Sequence, residues 1–444
     1  MKRKLSALFA AVVLAVGLGI YYYPNKSSAS PGPNNLVSIS TGGTQQNYFV
    51  GSSDATTSKD GRYVVFSSNA NNLVAGDTNN AYDVFLRDTT ANTTVRISVD
   101  SSGNQANGRS GAAVINPTGN YIAYISAATN LVAVDTNGYY DIFLYNVSTG
   151  ATEIVSTDSS GNQANNNNYS IGLSDDARFV TFSSYASNLD TAATGTYSNI
   201  FVKDRVTGTT TLLSKNTSGI AGNGDSDKPV ISCSGRFVAF HSLANNLDGT
   251  DSNGYRDIIL VDRLSGTVIK NITKTKNGVS EFPTLSCDGN YLAFDSYATN
   301  IVSGDSNNKT DVYRYDVRNG NTIRVSLNNT GSEVSQNSFY PSLSGDGNLV
   351  SFTSDEPSGS SKFYSGDNNG VYDVFLRNVE LSTTDIVSVS SGGTVGNGQS
   401  IMPHISSNGN YITYYSEASN LTTGDMNGTG DIYLSGSGFS GCTY

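Results

Sequence analysis

DGNYLAF, residues 288–294, reads as a tight Asp-Gly turn followed by a strand of mixed aromatic and aliphatic residues. Gly supplies the backbone freedom the turn needs, and the apolar run fits a pleated, buried surface. The same pattern recurs as DGRYVVF from Asp60, TGNYIAY from Thr118, DARFVTF from Asp176, SGRFVAF from Ser234, DGNLVSF from Asp346 and NGNYITY from Asn408. A repeat of between 54 and 62 residues, seven times over, signals a repeat architecture.

Within each repeat the pattern resolves into four short strands. An apolar strand such as PVIS from Pro229 precedes the turn. The turn strand follows, then a long polar loop, then a strand of the DVFLRD type from Asp83. A short turn leads to a last strand such as TTVRISV from Thr93. Four strands per unit at this period match a propeller blade. No helical period interrupts them outside the first 30 residues.

The seventh repeat stops after DIYL, residues 431–434, and lacks a fourth strand. NLVSISTGGTQQN from Asn35 resembles VRISVDSSGNQAN from Val95. The expectation is therefore an all-β, seven-bladed β-propeller of four-stranded antiparallel blades. The N-terminal segment supplies the outer strand of the last blade and closes the ring, which removes an open sheet edge. Residues 31–444 then form one propeller domain.

The repeats resemble TolB-type propeller repeats, whose mark is a Ser-Pro-Asp-Gly turn before an apolar strand. LSCDGNYLAF from Leu285 and LSGDGNLVSF from Leu343 come nearest, although the Pro is replaced in most repeats. The resemblance implies a propeller. For function it implies only a range: binding platforms, assembly partners and occasional lyases.

Composition narrows that range. A net charge of −11 speaks against a nucleic-acid partner, which needs a basic footprint. The first 30 residues read as an export segment: Lys2, Arg3 and Lys4, then an apolar run from Leu5 to Ile20, then the small residues Ser27 and Ala29. Cleavage near Ser30 gives a secreted, periplasmic or surface protein. Retention gives a membrane anchor, the one expected membrane contact. Three Cys are too few for a disulfide scaffold. Cys233 and Cys287 hold matching places in neighbouring repeats, which allows either a bridge between blades or two buried thiols.

The loop between the second and third strands carries D-x-N-x-x-x-D in six repeats. The residues are Asp77/Asn79/Asp83, Asp135/Asn137/Asp141, Asp251/Asn253/Asp257, Asp305/Asn307/Asp311, Asp367/Asn369/Asp373 and Asp425/Asn427/Asp431. The third repeat has Ala193, Gly195 and Asn199 instead. A residue that tolerates positive φ follows each Asn, so the loop can gather two carboxylates and an amide oxygen about one point. Hard cations such as Ca²⁺ take such oxygens. The competing reading is turn chemistry, since Asp and Asn also bond their own backbone.

Both the motif loop and the inter-blade loop lie on one face of a propeller, and here both are long and polar. GNQAN from Gly103 and from Gly161 offers amides there, and Tyr82, Tyr140 and Tyr372 offer ring faces. Enzyme signatures are thin: the only two His are His241 and His404, and the Asp-rich loops are too polar to raise an acid's pKa. The sequence reading is an exported binding scaffold, Ca²⁺-stabilised, presenting its loop-rich face to a protein or glycan. A polysaccharide lyase or hydrolase on the same face and a passive envelope component are the alternatives.

Overall fold

The computed structural model describes residues 31–48, 52–249, 251–355 and 362–439. The proposed export segment and Cys442 lie outside the described residues. Every sheet among the described residues is four-stranded and antiparallel, and there are seven of them. Blade 1 consists of Ser52–Thr57, Tyr63–Ser68, Asp83–Asp88 and Thr93–Arg96, paired in that order. Blades 2 to 6 repeat this plan. Blade 7 is Ser400–Ile405, Tyr411–Ser416 and Asp431–Gly436, completed by Asn34–Leu36. The chain is a seven-bladed β-propeller closed by its N-terminal strand.

The closing strand runs antiparallel to Asp431–Gly436, with Asn34 opposite Ser435 and Leu36 opposite Tyr433. It is shorter than the NLVSIS expected. After Leu36 the chain turns, and an isolated bridge joins Ile39 to Gln45. The same happens in blade 1: the ladder ends at Arg96, and the Val99 N–H bonds back to the Ile97 carbonyl at 2.7 Å. That turn buries Ser98 completely.

The core lies between blades rather than inside any one. Val65, Val84 and Leu86 of blade 1 pack with Ile122, Tyr124 and Phe143 of blade 2. The seam across the closure is built alike, from Val37, Val64, Phe66 and Phe85 with Tyr415, Ile432 and Leu434. Within a blade the second and third strands stack rings, as in Phe66–Phe85 and Tyr414–Tyr433, each with centroids 5.8 Å apart. Strands covered on both faces read as continuous apolar runs, which is why the turn strands show little polar alternation.

The Asp-Gly turn has a second role that the sequence did not reveal. Gly289 has φ +74°, and a Cβ there would lie 2.3 Å from the Phe237 ring of the preceding blade. Gly347 meets Tyr291 in the same way. In five of the seven blades the aromatic that opens the turn strand thus seats the next blade's glycine. These turns also bond to one another around the narrow end of the channel. Cys233 N–H donates to the Cys287 carbonyl at 3.0 Å, Cys287 to Gly345 at 2.8 Å, and Gly345 to Ser407 at 2.8 Å. The disulfide Cys233–Cys287 lies in this belt and joins blades 4 and 5.

Candidate functional site

The final Asp of each motif is the first or second residue of the third strand, and all six are fully buried. Each accepts a hydrogen bond from a hydroxyl presented by the turn after the fourth strand. Ser98 donates to Asp83 at 2.5 Å, Ser156 to Asp141 at 2.5 Å and Thr273 to Asp257 at 2.6 Å. Ser326 donates to Asp311 at 2.6 Å, Ser388 to Asp373 at 2.5 Å and Ser38 to Asp431 at 2.6 Å. Blade 3 keeps the link with a neutral acceptor, Ser214 to Asn199 at 2.8 Å. A carboxylate so placed clamps the blade's outer strand to its third strand.

The Asn of the motif is also engaged. Its amide oxygen accepts the backbone N–H two residues on, at 3.0 Å for Asn79 with Ala81 and 2.9 Å for Asn137 with Tyr139. Its amide nitrogen faces the final Asp: Asn79 to Asp83 at 2.9 Å, Asn137 to Asp141 at 2.6 Å, Asn307 to Asp311 at 3.1 Å and Asn369 to Asp373 at 2.7 Å. Asn253 reaches Asp257 at 3.1 Å. The same nitrogen donates to an inter-blade carbonyl, that of Gln46 at 3.2 Å in the case of Asn427. The next residue has positive φ as the sequence implies: Asn80 at 53°, Asn308 at 55° and Gly138 at 71°.

The first Asp comes close to the last. Arg96 Nη1 lies 3.4 Å from Asp77 and 3.5 Å from Asp83, so one atom touches both carboxylates. In blade 5, Asp305, Asp311 and Glu333 offer ligand atoms all within 4.8 Å of one another, a group that could hold a metal ion. The Arg324 guanidinium reaches the same three: 3.4 Å to Asp305, 3.7 Å to Asp311, and hydrogen-bonded to Glu333. Asp251 and Asp257 are bridged instead by the Asn271 amide, at 3.3 and 3.1 Å. Asp425 accepts from the Tyr433 hydroxyl at 2.5 Å. Glu333 was not among the expected ligands, because it lies in the inter-blade loop where three other repeats have Gln.

Burial raises several of the motif carboxyls, Asp77 and Asp83 among them. Asp141, Asp311 and Asp431 are pushed up to about 6, the buried hydroxyl and Asn amide partly offsetting the loss of water. Asp135 and Asp367 are also raised by burial. The sequence reading held these loops too polar for such a shift. The correction is that their carboxylates face inward, against the blade, and not outward into water.

The GNQAN amides, read as free for a ligand, are used inside the protein. Gln105 accepts from Arg96 at 2.8 Å and donates to Thr78 at 2.7 Å. Asn107 bonds Thr129 and Asn130 of the next blade. They tie loops together. Tyr82, Tyr140 and Tyr372 are half-buried. Arg109 stacks on Tyr82 with 4.4 Å to the ring centroid.

At the channel mouth the first strands bulge. Ala112, Ser170, Lys228, Phe282, Tyr340 and Met402 all have positive φ and line a central cavity of about 690 Å³. Four of them precede Pro. Such backbone strain in non-glycine residues gathers at sites that use it. A chain of edge-on rings follows the rim. Phe282 meets Tyr340 at 4.7 Å, Tyr340 meets Phe339 at 4.9 Å, and Phe339 meets Tyr372 at 5.4 Å. Tyr169, 39% exposed, links this rim to a smaller cavity of about 350 Å³ beside Tyr82 and Arg109. Burial holds both His241 and His404 down to about 4, so both are neutral at pH 7.

Comparison with known proteins places the fold alone. No family model matches the chain, and no curated protein matches it. Among solved structures, it is similar to an oligogalacturonate lyase from Vibrio parahaemolyticus: TM-score 0.52, 13% identity, 92% of this chain and 98% of that one. The β-propeller domain of the trilobed protease from Pyrococcus furiosus aligns with TM-score 0.52 and 12% identity, over 87% and 95% of the two chains. TolB from Acinetobacter baumannii aligns with TM-score 0.40 and 17% identity, over 85% and 80%.

The buried clamp yields a direct test. Asp141→Ala strands the Ser156 hydroxyl in a dry site and should cost about 2–4 kcal/mol in denaturant unfolding. Asp141→Asn copies what blade 3 does with Asn199 and should cost under about 1 kcal/mol. Equal losses for the two variants would mean that the hydroxyl link contributes nothing.

Proposed function

We propose that this protein is an exported binding scaffold whose loop-rich face holds a partner at the channel mouth, and that the partner is a glycan rather than a protein. The observation that carries the reading is the aromatic rim. Phe282 and Tyr340 line a wide, open cavity from strained bulges, and Phe339 and Tyr372 extend the edge-to-face chain of rings from them. Rings fixed by packing bind sugar faces with little loss of conformational freedom. The charged groups of the cavity wall, Asp227 and Lys228, are balanced, which suits a neutral polar chain. Further tyrosines on this face, Tyr139, Tyr197 and Tyr255, are each about two-fifths exposed.

Export accords with the Cys233–Cys287 bridge, since structural disulfides persist in oxidising compartments. Calcium at the D-x-N-x-x-x-D loops belongs to the same reading: millimolar Ca²⁺ outside cells suits weak sites that brace a scaffold.

A glycan array probed with residues 31–444 tests the proposal. At least one class of neutral oligosaccharide should be retained, and Phe282→Ala with Tyr340→Ala should weaken it about tenfold or more. If no glycan is held above background, and native-surface pull-downs recover the same proteins with both chains, the rim is not a glycan site.

A further inference from the structure

We infer that five of the seven blades are of two kinds: blades 1 and 5 carry a built-in cation, and blades 2, 6 and 7 take a divalent cation from solution at the same place. This rests on the reading of the loops as calcium sites and says which of them are filled.

One position of the fourth strand decides the matter. Arg96 lies opposite Phe85, and Arg324 opposite Tyr313. In each case the partner stands two residues after the motif's final Asp. The same ladder position is Ile154 opposite Phe143, Ile386 opposite Phe375 and Leu36 opposite Tyr433. In blade 4 it is Asn271, which lies opposite Ile259 and bridges the two carboxylates as a neutral amide. In blade 3 it is Leu212, beside a loop that lacks the carboxylates. The carboxylate pair is thus kept in blades 2, 6 and 7 while the residue that meets it is apolar.

Blades 1 and 5 mark where positive charge sits. A single nitrogen of Arg96 lies 3.4 and 3.5 Å from Asp77 and Asp83. Arg324 lies among Asp305, Asp311 and Glu333. A guanidinium there holds two carboxylates that otherwise repel across a dry site.

A second observation points to a ligand in the other blades. Asp431 is fully buried, and its Oδ2 has no hydrogen-bond partner. Asp367 is 1% exposed, and its Oδ2 is likewise without one. In blade 2 the Asp135 Oδ1 is buried and unpaired. In blade 5 one such oxygen also remains, Oδ1 of Asp305, but its Oδ2 has both Arg324 and the Tyr313 hydroxyl at 2.7 Å. Buried carboxylate oxygens are costly to leave unmet, and an ion with hard oxygen preference meets them. The motif Asn acts here as a positioning residue. Its nitrogen holds the final Asp, and its oxygen holds the turn.

Calcium chloride added to chelated residues 31–444 is the probe, with bound ions counted by equilibrium dialysis at about 5 mM, above the 0.1–1 mM range of extracellular sites. Three ions per chain are expected. Ile154→Arg should lower the count to two. Arg324→Ile should raise it to four and should melt lower than wild type in chelator, with calcium restoring the difference. The gain in the second variant guards against misfolding in the first. Six ions in the wild type, with neither substitution changing the count, would overturn the division into two kinds of blade while leaving the loops as calcium sites. No bound calcium and no shift in melting would overturn both.

Discussion

A chain that begins at Tyr48 instead of residue 31 should lose the cooperative unfolding of the whole ring. The deleted segment holds three blades together. Asn34 accepts from the Tyr414 hydroxyl at 2.7 Å and donates to the Val389 carbonyl of blade 6 at 2.5 Å. Ser38 and Gln46 both donate to the buried Asp431 of blade 7, at 2.6 and 3.1 Å. Gln46 also accepts from Ser68 of blade 1 at 3.0 Å, and Val37 packs in the seam between blades 7 and 1. Deletion leaves a buried carboxylate without its donors, which alone costs about 3–5 kcal/mol. It also opens a cavity at Val37 and bares the edge of Asp431–Gly436, a template for aggregation. The expected loss is more than about 5 kcal/mol, a large share of a typical protein's stability. A scanning calorimetry trace should show a broad, lower transition with precipitation. A trace that overlays that of residues 31–444 would show the closure to be ornamental.

That closure was legible because strand, turn and polar tail all recur, so NLVSISTGGTQQN could be matched to VRISVDSSGNQAN residue by residue. The seven blades were legible for the same reason. What escaped was the chemistry within the match. Ser98 reads as one more residue of an extended strand, yet the chain turns at Ile97 and sends that hydroxyl inward to Asp83. The link spans 15 positions, and no short-range pattern shows it. Orientation was equally hidden: the spacing of the motif brings Asn79 to Asp83, but which amide atom faces the carboxylate follows from the turn at Ala81. The difference between Arg96 and Ile154 looks like ordinary surface variation until the ladder places both beside a carboxylate pair. Of the rim aromatics only Tyr372 was legible; Phe282, Phe339 and Tyr340 were missed because their signal is a bulge. Phe282 and Tyr340 sit at register shifts in the first strands, which periodicity treats as noise. The GNQAN loops misled in the opposite sense, since amide-rich loops look free in sequence and are bonded across blades in the fold.

Breaking the bridge between Cys233 and Cys287 should lower stability by about 4 kcal/mol, the chain-entropy value for a loop of 54 residues. The bond joins the narrow-end turns of blades 4 and 5, which already share the Cys233-to-Cys287 backbone hydrogen bond. Cross-linking therefore adds little order to the folded ring, and its main effect falls on the unfolded chain. With about 2.1 cal/mol/K of unfolding entropy per residue, the loss corresponds to a fall in Tm of about 5 °C for a propeller of this size. Changing both Cys to Ser avoids a stray thiol and keeps side-chain volume close to native. Reductant then separates cross-linking from packing. In wild type, dithiothreitol should produce the same fall, whereas the double variant should not respond. The effect should be clearest in chelator, where no ion braces the loops at the wide end. If reductant leaves the wild-type melt in place and the double variant matches it, the turn-to-turn hydrogen bonds close that end of the channel unaided.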